Sequence, residues 1–154
     1  MNINKLVIAR HSIDSATKFA ELILKHCESE KDELYIPLHS AMVVAYGRAF
    51  AESRYAGPLT AHTKWKTAKT EEGRKIHNSL MKQRNEDVAH ADNITDKVDI
   101  VETEDDNQIS IRPDTFVSLL RIRDIVSVVG YTSALSEEMS QKLNSYFEKQ
   151  KFGR

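Results

Sequence analysis

Apolar residues recur at intervals of three and four along most of this chain, the period of helices buried on one side. Ala16, Phe19, Ala20, Ile23 and Cys27 share one face, with Lys18, Glu21 and Lys25 opposite. Ser12 and Asp14 are residue types that cap free N–H groups, so the first helix is predicted to start there. The polar run 28–33 reads as a loop. A second helix is predicted from Ile36 and Pro37, because proline is tolerated in a first turn. It runs through Leu38, Ala41, Met42, Ala45, Ala49 and Phe50 to about Arg54. It is apolar on most sides, which places it deep in a bundle. Its Ala41, Ala45 and Ala49 stripe admits a close neighbour, while His39 and Arg48 interrupt it.

Ala56-Gly57-Pro58 breaks the chain, and residues 59–69 read as a less regular connector. Thr70-Glu71-Glu72 reads as a cap followed by acids, which the helix dipole favours in a first turn. The third helix carries Ile76, Leu80 and Val88 on one stripe, and Arg84 falls on the same stripe. Residues 98–103 and 108–112 alternate around Glu104-Asp105-Asp106-Asn107, the pattern of a short β-hairpin. Pro113-Asp114 is predicted to open the most apolar helix, with a bend at Gly130 and a stripe of Leu135, Met139, Leu143 and Phe147 running to about Lys149. The expected fold is mainly all-α. It is an up-and-down bundle of four to five helices, with a hairpin at about 97–112 inserted before the last long helix and residues 1–154 in one domain.

Composition agrees with a globular domain: of 154 residues, 40% are apolar and 29% charged. Cys27 is the single cysteine, which excludes an intrachain disulfide and a cysteine-rich zinc site, and fits a reducing compartment. Residues 1–12 hold no apolar core of signal-peptide length. The longest apolar runs, 41–46 and 125–129, fall far short of the roughly 20 residues that span a bilayer. A soluble, cytoplasmic protein without a membrane partner is expected. The formal net charge of −1 gives no overall cationic field, which weighs against a grip on nucleic acid. The charges are nevertheless segregated. Lys64, Lys66, Lys69, Arg74, Lys75, Lys82 and Arg84 face only Glu71 and Glu72, whereas Asp99, Glu102, Glu104, Asp105 and Asp106 form an acidic stretch.

The basic stretch leads into Arg84-Asn85-Glu86-Asp87-Val88-Ala89-His90. An arginine, a polar residue and a histidine four to six positions on is the motif of the HEPN superfamily, which this segment resembles, and Asn is the commonest polar choice there. A helical bundle with the motif late in its penultimate core helix extends the resemblance to most of the chain. It implies metal-independent cleavage of RNA, in which a 2′-hydroxyl attacks the adjacent phosphate and leaves a 2′,3′-cyclic end. His90 would move the proton, being the side chain that titrates near neutrality. Arg84 would hold phosphate oxygens with its planar, permanently charged fork, and Asn85 would orient either group. Lys82, Arg48 and Asp92 are candidate substrate-side residues. No metal and no cofactor are expected.

Six steps of about 100° carry position 90 about 240° round a helix from position 84. Either the helix ends before His90, or a second copy of the chain completes the site. HEPN proteins typically dimerise with their motifs facing, so a homodimer is expected. The resemblance also implies an RNA or nucleotide ligand and an inhibitory antitoxin-like partner, in a toxin–antitoxin or phage-defence setting.

Plainer readings stand beside these. Arg84 could pair with Asp87 or Asp92, and His90 could bond a backbone carbonyl. The lysine run could be a solvated face. Trp65 is a better pocket filler than a platform for a base. His11, His26, His39, His62 and His77 show no ligand spacing. Three functions follow: an endoribonuclease, a non-catalytic nucleotide- or RNA-binding relative, and a dimeric interaction scaffold.

Overall fold

In the computed structural model, helix α1 covers Ile3–His26 and its buried face is Leu6, Ala9, Ile13, Ala16, Ala20 and Ile23. The structure describes residues 3–50, 64–93, 98–102, 109–113 and 119–152, and side chains only within 3–50, 64–85 and 119–150. Helix α1 thus starts well before the predicted Ser12–Asp14 cap. The buried face continues back through Ala9 to Leu6, and the hydroxyls of the segment turn into the helix. The Ser12 hydroxyl bonds the Ile8 carbonyl at 3.0 Å, and Ser15 and Thr17 do the same to His11 and Ile13. Hydroxyls satisfied by the carbonyl four residues back sit inside a helix instead of starting it.

Helix α2 is Tyr35–Phe50, with Pro37 in its first turn. A single turn, α3 (Lys66–Lys69), follows Trp65. It is held by Glu138, whose carboxylate accepts the Lys66 amide at 2.7 Å and the Thr67 amide at 3.1 Å. Trp65 is buried, with the Lys142 ammonium 5.0 Å from its ring centre, so it fills the core. Helix α4 (Glu71–Asn93) begins where the Thr70 hydroxyl accepts the Gly73 amide at 2.9 Å. Strands β1 (Val98–Glu102) and β2 (Ile109–Pro113) pair antiparallel, Ile100 opposite Ile111. The acidic stretch 103–108 between them lies outside the described residues.

Helix α5 spans Ile122–Phe152 and runs unbroken through Gly130. The predicted start at Asp114 is corrected: residues 119–121 are not helical, and 114–118 lie outside the described residues. Three distant side chains bind this backbone. The Tyr35 hydroxyl donates to the Leu120 carbonyl, the His39 Nε2 accepts the Leu120 amide at 3.2 Å, and Glu30 accepts the Ile122 amide at 3.0 Å. Ile122 then has a carboxylate at a free helix N-terminus.

The result is a mainly helical bundle in which α1 packs on α2 and α5, and α2 packs on α4. Its core contains Tyr46 and the apolar Ile13, Met42, Leu80, Ile125 and Leu135, each of those five side chains contributing about 1.5–3 kcal/mol by leaving water. Among the described residues no helix is long and apolar enough to cross a membrane.

Candidate functional site

Helix α4 turns Gly73, His77, Leu80 and Gln83 inward, all buried, at three- and four-residue steps. Arg84 follows Leu80 by one turn and is half-buried, an arginine at the edge of an apolar stripe. Its stem lies against α2. A β-carbon placed on Gly47 would stand 2.6 Å from the Arg84 Cγ, 3.1 Å from Cδ and 3.3 Å from Nε. The head emerges toward solvent, where Nη1 donates to the Asn85 Oδ1 at 3.1 Å. Arg84 and Asn85 are thereby joined side chain to side chain.

Lys82 is exposed three residues before Asn85, so the two lie one turn apart on the outer face of α4. Arg48 is also exposed and is bonded in sequence to Gly47, which puts its Cα about 3.8 Å from that of Gly47. The lysines and arginine of the connecting run, Lys64, Lys66, Lys69, Arg74 and Lys75, are exposed as well. Lys75 is engaged by Glu71 at 2.7 Å.

The backbone of α4 remains helical through position 90 to Asn93, which removes one of the two arrangements open from the sequence: the helix does not stop before His90. Positions 84 and 90 then differ by about 240° in rotation and about 9 Å along the axis. The His90 and Asp92 side chains lie outside the described residues, as does Asp87. The structure accordingly joins Arg84 to Asn85 at the α2–α4 seam, with Lys82 a turn away on α4, while Arg48 is exposed about 100° round α2 from the Gly47 face that meets Arg84.

No protein-family profile matches the chain, and no curated protein or solved structure matches it. The site must be read from its own geometry.

Two buried polar clusters escaped sequence reasoning. His39 is fully buried, and burial lowers its pKa to about 4, opposed by the Gln83 side chain. With Nε2 accepting the Leu120 amide, the ring proton belongs on Nδ1. That atom and the Gln83 Oε1 have no hydrogen-bond partner within normal reach, a donor and an acceptor on facing side chains. The second cluster joins the Tyr46 hydroxyl to the His77 Nδ1 at 2.7 Å and to the Tyr131 hydroxyl at 3.0 Å. Burial raises the pKa of both phenols, so both stay protonated and serve as neutral hydrogen-bonding groups. The only sequence signal for either cluster was a histidine inside an apolar period. Among the described residues no group of three or more His, Cys, Asp or Glu is placed to hold a metal ion.

Proposed function

We propose that this protein is a metal-independent endoribonuclease of the HEPN type, acting in the cytoplasm as a homodimer. The observation that carries the reading is Arg84, seated over Gly47 with its fork tied to Asn85 at the edge of solvent. An arginine so placed meets a phosphodiester with its stem already ordered, which lowers the entropic cost of binding. Arg84 holds the phosphate oxygens and neutralises charge as the 2′-hydroxyl attacks; His90 takes or gives the proton; Lys82 and Arg48 attract the flanking backbone.

The continuous helix supports a site built from two chains. A two-fold axis across α4 near position 87, midway between 84 and 90, sets Arg84 of one copy level with His90 of the other. The fold that this reading implies is an up-and-down bundle with the β-hairpin inserted before its last long helix. An antitoxin-like partner, of the small nucleotidyltransferase-like kind, would restrain such an enzyme in a toxin–antitoxin or phage-defence system.

The deciding experiment incubates purified protein with RNA in excess chelator, beside His90→Ala and Arg84→Ala. Cleavage by the wild type alone, leaving 2′,3′-cyclic ends, is the expected result. Intact RNA in every lane, from folded dimers, would eliminate the stand-alone enzyme. The second reading, a non-catalytic RNA- or nucleotide-binding module, is favoured by the net charge of −1 and by the bond that already occupies one Arg84 donor.

A further inference from the structure

Helix α2 carries a residue that its own conformation disfavours. Gly47 lies inside the helix, three residues before its end at Phe50, and is buried. Glycine is a poorer helix former than alanine, and α2 otherwise uses alanine freely, at Ala41, Ala45 and Ala49. What separates Gly47 from those positions is the group standing where its side chain would be. The missing β-carbon would come within 2.6 Å of the Arg84 Cγ, with Cδ and Nε at 3.1 and 3.3 Å. Non-bonded carbons pack at about 3.5–4.0 Å, so a methyl at position 47 and the present course of the Arg84 stem exclude each other.

We propose that Gly47 is the positioning residue for Arg84: its bare backbone forms the slot that seats the arginine stem and fixes where the guanidinium meets a phosphate. Three consecutive side-chain atoms, from Cγ to Nε, lie along the slot. The torsions nearest the backbone are thereby set, and the fork beyond them is steadied by the Asn85 Oδ1 at 3.1 Å. An unseated arginine keeps its charge and loses its direction, and direction is what bidentate phosphate contact needs. The phosphate part of the inference rests on the ribonuclease reading above; the slot does not.

Three variants test it: Gly47→Ala, Arg84→Ala, and the two combined. The readouts are the Arg84 Nε–H resonance of ¹⁵N-labelled protein and the cleavage of a fluorescent oligoribonucleotide. In Gly47→Ala the resonance should move toward that of a solvated arginine, while cleavage falls about 10- to 100-fold, the scale of a small misplacement. Added to Arg84→Ala, the glycine change should do nothing more. A Gly47→Ala chain that fails to fold, beside a double variant that folds, supports the same slot, because the methyl and the stem then compete for one space. An unmoved resonance overturns the proposal. So does weaker binding of the oligoribonucleotide by the double variant than by Arg84→Ala, or misfolding of both proteins. If wild type neither binds nor cuts the oligoribonucleotide, the ribonuclease reading falls by itself, and the resonance still decides the slot.

Discussion

His39 holds the backbone of Leu120, its Nε2 accepting the amide at 3.2 Å across a separation of 81 residues. An imidazolium carries a proton on both nitrogens and cannot accept that bond. Burial therefore holds the His39 pKa down, to about 4 from an ordinary 6.5. The stability this arrangement contributes is complete above about pH 6.5. It declines as pH falls toward 4, because the unfolded chain binds a proton that the folded chain refuses. The difference corresponds to about 3 kcal/mol at most. Urea midpoints measured between pH 7 and pH 4.5 should fall for wild type and fall less for His39→Gln, which should already be weaker at pH 7. Parallel curves for the two proteins would show that His39 does not set the slope.

Arg84 and His90 are expected to act across the dimer. Neither Arg84→Ala nor His90→Ala should cleave RNA, yet a co-expressed mixture should regain activity. Random pairing makes half the dimers mixed, each with one intact site of two, so about a quarter of wild-type activity should return. Complete inactivity of a mixture shown by mass spectrometry to contain mixed dimers would place both groups in one chain.

The fork of Arg84 should matter beyond its charge. Arg84→Lys keeps the positive charge and a stem for the Gly47 slot, but its donors all sit on one nitrogen and cannot form the planar, bidentate contact of a guanidinium. Cleavage should fall by about 100-fold, as for loss of an oxyanion donor, with thermal stability close to wild type. Full activity in Arg84→Lys would reduce Arg84 to a source of charge.

Gly73 and Gly130 should respond oppositely to alanine. A β-carbon on Gly130 meets nothing within 4 Å, whereas one on Gly73 would lie 2.2 Å from the Thr67 carbonyl oxygen. Gly130→Ala should stabilise α5 by about 0.5–1 kcal/mol through helix propensity. Gly73→Ala should destabilise, since a carbonyl in the chain cannot swing aside as a side chain can. Calorimetric melting of both variants measures this, and equal shifts in the two would mean that the Thr67 carbonyl does not restrict position 73.

Removing the Tyr46 hydroxyl breaks two buried hydrogen bonds. Tyr46→Phe leaves the His77 Nδ1 and the Tyr131 hydroxyl without the bonds at 2.7 and 3.0 Å, at a cost of about 1–3 kcal/mol. Urea unfolding at neutral pH measures it, and a change below about 0.5 kcal/mol would mean that the cluster repacks with other donors.

The helical period alone determined that this chain builds a mainly helical bundle, because residues three and four apart share a face whatever lies opposite them. It placed α2, with Pro37 in its first turn, and it marked Thr70 as the cap of α4. It also singled out Arg84 as an arginine on an apolar stripe beside Asn85. Local pattern failed where the partner was distant. Ser12 and Asp14 have cap chemistry, yet their segment continues an apolar face back to Leu6, and burial of that face outweighs the cap. The start of α5 at Ile122 depends on Glu30, Tyr35 and His39, whose hold on residues 120–122 no neighbouring residue announces. Gly47 reads in sequence as an ordinary small residue of α2. Only the packing of α2 on α4 makes it the place where the Arg84 stem lies, because a slot is a volume shared by two helices and periodicity describes one helix at a time.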